Sequence, residues 1–152
     1  DGLTGLFNER YFTTMLQSKE KKKLPFVLVY LDLDHFKPIN DTYGHAMGDK
    51  LLQETAKRLL LCIRKNDYVF RIGGDEFTIL FSMDFDEHMA SEIRTRLKTM
   101  LEKPFEIDGH TLRVGCSMGI AAYPKDSGDA AYIRILADQR MYEEKEKNHK
   151  GR

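Results

Sequence analysis

RIGGDEFTILF, residues 71–81, places two glycines and two carboxylates between two apolar segments. Residues 68–72 are rich in β-branched and aromatic side chains, and residues 76–81 alternate with the period of a β-strand. Adjacent glycines between two strands predict a tight hairpin, because glycine adopts positive φ without a steric penalty. A solvated hairpin tip accounts for the glycines but gives no role to the neighbouring carboxylates of Asp75 and Glu76.

The elements on either side of the hairpin alternate between helices and strands. Before the hairpin we expect a helix after Asn8 that ends before Pro25, a buried strand over residues 26–33, a loop that contains Asn40 and Gly48, and a helix over 49–64. After the hairpin we expect a helix over 86–103, a turn at 108–109, a long strand over 112–120 and a helix from residue 129. This order predicts an α/β (α+β) sandwich, in which helices flank a central, mainly antiparallel five-stranded sheet.

The composition is that of one globular domain. The chain has 152 residues, of which 41% are hydrophobic and 32% are charged, so it can bury a core of its own. Lys and Arg together number 24, as do Asp and Glu, and this balance argues neither for nor against an anionic partner in general. The sequence shows no basic face for nucleic acid, so we expect no nucleic-acid partner. The first residue is not Met and motif-like residues begin at once, so we expect a piece of a longer regulatory protein.

The cysteines and the hydropathy pattern bear on location. Cys62 and Cys116 both lie within apolar patterns, which predicts buried free thiols in a reducing compartment. No apolar run approaches a membrane span, and no signal-peptide pattern opens the sequence. We therefore expect a cytoplasmic domain without membrane contact of its own. This expectation is compatible with a full-length protein that is attached to a membrane through other segments.

Two further carboxylates end a predicted strand. Asp32 and Asp34 lie at the C-terminal end of the strand over residues 26–33, where open sheets commonly bind ligands. If this strand pairs beside the hairpin, the carboxylates of Asp32 and Asp75 converge. Carboxylates that close repel each other unless a cation lies between them, and their oxygens suit Mg²⁺. The alternatives are a solvated strand-end charge for Asp32 and a turn cap for Asp34.

The block Gly73-Gly74-Asp75-Glu76-Phe77 is the signature of the GGDEF family, the bacterial diguanylate cyclases, and the chain resembles this family over nearly its whole length. Further blocks carry the resemblance at the family's spacing: DGLTGL at residues 1–6, DLDHFKPIND at 32–41, GHAMGD at 44–49 and the segment at 138–145. The resemblance implies a single catalytic domain over residues 1–152, with a fold like the palm of nucleotide cyclases and polymerases.

The same resemblance implies an activity. Members of the family condense two molecules of GTP into cyclic di-GMP and release two pyrophosphates. It also implies a homodimer, in which each GTP presents its 3′-hydroxyl to the α-phosphate of the other. Cyclic di-GMP is then both product and inhibitor.

The resemblance assigns the acidic residues to catalysis and metal binding. Asp32, Asp75 and the backbone carbonyl of Leu33 match the metal ligands, and the family's usual complement is two Mg²⁺ (or Mn²⁺) ions in each half-site. Such ions neutralise a triphosphate and lower the pKa of the attacking hydroxyl. Glu76 matches the second acidic position of the signature. Its role stays open between a metal contact, support of the site and a solvated charge at a strand start.

Substrate contacts follow from the other blocks. Asn40 and Asp49 match the positions that recognise guanine, Lys37 matches a phosphate contact, and Gly73 and Gly74 let the backbone approach the substrate closely. The alternatives are that Asp49 caps the helix it begins, that Asn40 makes a turn and that Lys37 is a solvated loop lysine.

The C-terminal helix departs from the family at one position. Lys145 matches a phosphate-binding lysine, but the arginine usual four residues later is His149. Lysine and histidine at i and i+4 share a helix face, so the placement is kept. Histidine is mostly neutral at pH 7, which weakens the expected triphosphate contact, and Lys147 or Lys150 is a possible substitute.

An inhibitory site is implied by Arg64 and Asp67, which form the family's R-x-x-D pattern and are separated from Gly73 by five residues. Arginine can pair bidentately with phosphate or with the Hoogsteen edge of guanine. Arg71 is a further candidate member, and either Arg94 or Arg96 can complete the site. The alternative is a charged helix end.

Two competing functions remain at this point. One is a GGDEF domain that has lost turnover and binds cyclic di-GMP or GTP as a regulatory module. The other is a palm-like polymerase or mononucleotide cyclase. The balanced charge argues against the polymerase, and Asp49 argues against an adenine substrate.

Overall fold

The structure is a computed structural model and describes residues 1–150. The elements are α1 (Glu9–Lys21), β1 (Phe26–Asp34), α2 (Phe36–Tyr43), α3 (His45–Leu60), β2 (Tyr68–Gly73), β3 (Glu76–Phe81), α4 (Glu87–Glu102), β4 (Phe105–Ile107), β5 (His110–Leu112), β6 (Gly115–Tyr123) and α5 (Ala130–Lys150). No helix within these 150 residues is long and apolar enough to cross a bilayer.

The main sheet has four strands in the order β2-β3-β1-β6, and every neighbouring pair is antiparallel. The predicted α+β sandwich is therefore confirmed, but the predicted count of five strands is wrong. The long strand expected over residues 112–120 is interrupted after Leu112. Asp108 and Gly109 both adopt positive φ, and they close a separate two-stranded hairpin of β4 and β5. That hairpin uses the residues before the interruption, so only β6 joins the sheet.

The second difference lies between β1 and α3. The segment expected to be a loop contains the helix α2, and α3 begins at His45, four residues before the predicted start. Pro38 is compatible with α2 because it lies in the first turn, where a missing N–H costs no helical hydrogen bond. Gly44 separates the two helices with a φ of 92°.

Strand β1 lies at the centre of the core, and all nine of its residues are buried. Its odd-numbered side chains, such as Val29 and Leu31, pack in a cluster with residues of α3 and α4. Its even-numbered side chains, such as Leu28 and Tyr30, pack in a second cluster with residues of α1 and α5. The free thiols of Cys62 and Cys116 are buried, as expected. Burial on both faces fixes the position of the strand end that carries Asp32.

Helix α5 packs directly on β6 at Gly119. A Cβ atom at this position would lie 2.1 Å from the carbonyl oxygen of Ala137 and 2.3 Å from the backbone nitrogen of Met141. Backbone atoms inside a helix cannot move away as the end of a side chain can. The absence of a side chain at Gly119 therefore sets the distance between α5 and the sheet.

We predict that Gly119→Ala destabilises the domain by about 1–3 kcal/mol or more, because overpacking a core forces its backbone to shift. The matched control is Gly128→Ala, where a Cβ would meet nothing within 4 Å. Urea unfolding of both variants measures the difference. A Gly119→Ala variant as stable as the control would show that α5 is not held at this distance.

Candidate active site

The end of β1 and the tip of the β2–β3 hairpin lie side by side. Antiparallel pairing of β1 with β3 places Asp32 opposite Glu76. The backbone N–H of Leu33 donates to the carbonyl oxygen of Asp75 at 3.4 Å. The carboxylates of Asp32, Asp75 and Glu76 thus gather at one end of the sheet, although 43 residues separate the first two along the chain.

The hairpin tip is fixed by Arg71. Its Nε donates to the carbonyl oxygen of Gly74 at 2.9 Å, and its Nη1 lies 3.2 Å from the carboxylate of Asp1. The backbone N–H of Arg71 donates to the carbonyl oxygen of Phe7 at 3.0 Å. Gly74 has a φ of 47°, which glycine adopts without strain. The first residues of the chain therefore hold the turn that carries Asp75.

The two carboxylate oxygens of Asp32 have different surroundings. Oδ2 accepts a hydrogen bond of 2.7 Å from Nζ of Lys145 on α5. Oδ1 is buried, and it accepts no hydrogen bond from residues 1–150 when Asp32 and Asp75 are both ionised. A buried acceptor without a partner costs free energy. Asp32 therefore offers one oxygen to a ligand while the other is already neutralised.

Asp75 is the most perturbed acid of the site. Burial of its carboxyl and the adjacent carboxylate of Asp32 together raise the pKa of Asp75 to about 7. Desolvation is the largest cause, followed by a hydrogen bond from protonated Asp75 to Asp32 and by the like charge of Asp32, which a proton on Asp75 relieves. A divalent cation would relieve the same repulsion.

Glu76 lies beside Asp32 on the sheet face that α5 covers, because residues paired across strands share a face. Burial raises the pKa of Glu76, and the nearby charges of Asp32 and Asp138 raise it further. For Lys145, burial alone would lower the pKa, but the hydrogen bond to Asp32 and the surrounding carboxylates raise it. Lys145 is therefore held in its charged form beside the acids.

The donor set fits Mg²⁺ better than a metal caged by protein alone. Residues 1–150 contain no group of three or more His, Cys, Asp or Glu side chains arranged to hold a metal. Mg²⁺ is commonly held by one or two carboxylates and completes its coordination with water and substrate phosphates. Asp75, whose ionised carboxylate is repelled by Asp32, and Oδ1 of Asp32, which lacks a partner within residues 1–150, fit that description.

The proposed base-recognising residues lie on the helix pair α2–α3. Asn40 lies within α2 rather than in a turn, and its Oδ1 is buried without a hydrogen-bond partner in the described chain. Asp49 is exposed in the second turn of α3, and the cap position belongs to Gly44, so the alternative in which Asp49 caps the helix is wrong. Lys37 is exposed in the first turn of α2.

The end of α5 is anchored by residues that the sequence did not reveal as part of the site. Asn148 donates to Oδ2 of Asp34 at 3.2 Å and to Oγ of Ser117 at 2.9 Å. Ser117 donates to Oδ1 of Asp34 at 2.8 Å. Asp34 is buried within this network and does not cap a turn. Its place at the end of a nearly unbroken apolar run was the signal that could have indicated burial.

His149 follows this anchor and is exposed. Its ring stacks on that of His35, with ring centroids 6.1 Å apart and an interplanar angle of 15°. The side chain of Lys150, one possible substitute for the family's arginine, lies outside the described residues. The structure thus brings Lys145 into contact with the acids and places His149 at the rim.

Arg64 and Asp67 lie together at the start of β2. Asp67 is buried, and its carboxylate accepts from the backbone N–H of Arg64 at 2.8 Å and from that of Ser82 at 2.9 Å. The guanidinium of Arg64 is mostly exposed and lies 3.6 Å from Asp67. A small cavity of about 50 Å³ is lined by Arg64, Asp67 and Arg96.

The other arginines considered for this second site lie elsewhere. Arg94 forms an ion pair of 2.6 Å with Glu144. Arg71 is at the opposite end of β2, where it contacts the hairpin tip. Of the three candidate arginines, all within residues 1–150, Arg96 is the one that lies beside Arg64.

The chain is similar to known proteins over nearly its whole length. The chain matches the family profile described as "Diguanylate cyclase, GGDEF domain" over residues 1–151. It is 41% identical over 155 residues to the uncharacterized protein YhcK of Bacillus subtilis, in a match that covers 96% of this chain and 42% of YhcK. It is 37% identical over 154 residues to Diguanylate cyclase A of Treponema denticola, with 96% of this chain and 41% of that protein covered.

The relatives also include a protein named cyclic di-GMP phosphodiesterase PdeR, from Escherichia coli, which is 38% identical over 153 residues. That match covers 96% of this chain and 22% of PdeR. This chain thus spans less than half the length of each of these relatives.

Among solved structures, a sensory box/GGDEF family protein from Caulobacter crescentus CB15 is similar with a TM-score of 0.86 and 37% sequence identity. The match covers 97% of both chains. With a family match that extends over residues 1–151, the chain belongs to the GGDEF family of diguanylate cyclase domains.

Proposed function

We propose that this domain is a diguanylate cyclase, which condenses two molecules of GTP into cyclic di-GMP. The observation that carries the proposal is the pair of acids that meet where the end of β1 lies beside the hairpin tip. Asp75 has a pKa raised to about 7 beside Asp32, and when both acids are ionised Asp32 has a buried oxygen that accepts no hydrogen bond from residues 1–150. Such a pair can bind a divalent cation whose remaining ligands are oxygens of a triphosphate.

In this proposal Asp32, Asp75 and the backbone carbonyl of Leu33 would hold two Mg²⁺ or Mn²⁺ ions in each half-site. Bound there, the ions would offset the triphosphate charge and favour ionisation of a 3′-hydroxyl. Glu76 supports the site from the neighbouring strand. Lys145, already charged and 2.7 Å from Asp32, supplies a positive charge to the substrate phosphates.

The proposed chemistry needs two domains that face each other. The 3′-oxygen of each GTP attacks the α-phosphorus of the other, so that one P–O bond forms as the bond between the α-phosphorus and the bridging oxygen breaks. Pyrophosphate leaves, and the hydroxyl proton passes to solvent. A two-fold homodimer makes the two half-reactions equivalent. Asn40 and Asp49 recognise guanine, Lys37 contacts phosphate, and Gly73 and Gly74 let the hairpin backbone approach the nucleotide.

A second candidate is a regulatory module that binds GTP or cyclic di-GMP without turnover. Two observations favour it: His149 stands where the family has an arginine, and the chain resembles part of a protein named for phosphodiesterase activity. Incubation of the purified domain with GTP and Mg²⁺, followed by chromatography of the products, separates the two. Cyclic di-GMP supports the cyclase, and unchanged GTP in the presence of measurable binding supports the module.

We predict that Asp32→Asn and Asp75→Asn each abolish cyclic di-GMP synthesis while the fold survives. Each substitution removes a charge that balances Mg²⁺ and leaves the packed core intact. The matched control is Asp84→Asn, at an exposed position away from the hairpin tip. Wild-type rates in either active-site variant, with circular dichroism unchanged, would exclude these carboxylates as metal ligands.

The raised pKa of Asp75 also predicts a pH dependence of stability in metal-free protein. Between the ordinary carboxyl value of 3.8 and about 7, the folded state binds one proton more than the unfolded state. The free energy of unfolding therefore falls as pH rises through this interval and levels off above it.

Asp75→Asn lacks this titration, so its melting temperature in chelator should exceed that of wild type above pH 7. The expected gain is about 2–4 °C for each kcal/mol of repulsion removed, and it should shrink toward pH 4. Thermal denaturation of both proteins across this range measures it. A constant difference at every pH would mean that Asp75 does not carry the titration.

The exposed guanidinium of Arg64 supports a feedback site for cyclic di-GMP, with Asp67 holding the turn beneath it and Arg96 alongside. We predict that Arg64→Ala weakens binding of cyclic di-GMP by about 1–3 kcal/mol, roughly 5- to 150-fold, with little change in the initial rate. Lys65→Ala, at the exposed neighbouring position, is the control. Calorimetric titration with cyclic di-GMP in the absence of GTP measures the two affinities. Equal affinities in wild type and Arg64→Ala would show that Arg64 does not bind cyclic di-GMP.

A further inference from the structure

Helices α2 and α3 meet in a compact elbow around Gly44. The N–H of Gly44 donates to the carbonyl oxygen of Asn40 at 2.8 Å, and the N–H of Gly48 donates to the carbonyl oxygen of Gly44 at 3.2 Å. These bonds bring residues 40 and 48, eight positions apart, to the same point. A role for Gly48 beside this elbow rests on the proposed recognition of guanine by Asn40.

Gly48 faces the side chain of Asn40. A Cβ atom at Gly48 would lie 1.7 Å from Oδ1 of Asn40, 2.8 Å from its Cγ and 3.3 Å from Cζ of Phe36. Gly48 lies inside α3, and its φ is not in the left-handed region, so its backbone conformation does not require glycine. Only the space beside Asn40 does. Because glycine inside a helix is less stable than alanine, this space is kept at a cost in helix stability.

The amide of Asn40 is oriented by this contact. Oδ1 is the buried end, it lies against Gly48, and it has no hydrogen-bond partner among the described residues. The opposite end of the amide is the Nδ2 donor, and no hydrogen bond within residues 1–150 engages it. The side chain is thus held with its donor end available to a ligand.

We propose that Gly48 is a positioning residue for base selection, which acts through Asn40. The slot left by its missing side chain holds the amide so that Nδ2 meets a purine acceptor. Guanine presents an acceptor, O6, where adenine presents its N6 amino donor. A donor fixed in this orientation favours guanine and opposes adenine.

This role is separable from a structural one. The atom nearest to an added Cβ is the far end of the Asn40 side chain, which can rotate away without a shift of either helix. Alanine also favours helix over glycine. Gly48→Ala should therefore fold with an unchanged or higher melting temperature and should have a displaced Asn40 amide. A purely structural role for Gly48 predicts the opposite, a loss of stability.

The test is a double-mutant cycle with Gly48→Ala, Asn40→Ala and the double variant. Calorimetry with Mg²⁺ measures the affinity for the α,β-methylene analogues of GTP and of ATP, which cannot react at the α-phosphorus. Each single substitution should lower the ratio of guanine to adenine affinity by roughly 2- to 10-fold, the value of one hydrogen bond. In the double variant the ratio should equal that of Asn40→Ala, because the clash has nothing left to displace.

The control is Gly128→Ala, which adds a Cβ in open space and should leave both affinities unchanged. A Gly48→Ala variant with the wild-type ratio, or one that lowers the ratio further in the Asn40→Ala background, would overturn the inference. Failure of the wild-type protein to bind the GTP analogue would instead overturn the proposed function, and the two failures are therefore distinct.

Discussion

The site depends on one constraint, the enforced proximity of two like-charged groups. Antiparallel pairing of β1 and β3 carries Asp32 and Asp75 to the same sheet end, and burial denies them the water that would screen their repulsion. Neither acid can move away, because β1 is buried along its whole length and the hairpin tip is held by Arg71. The resulting free-energy cost is what a bound cation would recover.

Helix α5 supplies a positive charge that stabilises the neighbouring acids. Close packing on Gly119 brings the helix onto the sheet, and the network of Asn148, Ser117 and Asp34 fixes its far end. Between these two anchors lies Lys145, whose ammonium neutralises one oxygen of Asp32. The same residue is thus a counter-charge for the acids and, in the proposed function, a contact for substrate phosphate.

The other sheet face carries the helices that we propose to recognise the base. Asn40 and Asp49 belong to adjoining helices, and the elbow at Gly44 sets their relative position. Asp32 and Lys145 therefore lie on the α5 face of β1, whereas Lys37 and the proposed base-recognising residues lie on the helices of the opposite face. This separation explains why substitutions at Gly48 and at Asp75 should affect different properties, the choice of base and the turnover.

The sequence by itself determined most of the element types, the central position of β1 and the hairpin with its acids, because strand periodicity, paired glycines and a nearly unbroken apolar run are local signals. The spacing of the blocks also identified the family. Local signals gave the turn at 108–109, but they could not give the pairing of β5 with β4 apart from the main sheet, the helix α2 or the burial of Asp34. Strand pairing, a cap at Gly44 and a partner at Asn148 decide these features. Only the tertiary structure could show which oxygen of Asp32 is unpaired and why Gly48 lacks a side chain. Both facts arise from contacts between residues that are distant in the sequence or lie on different helices.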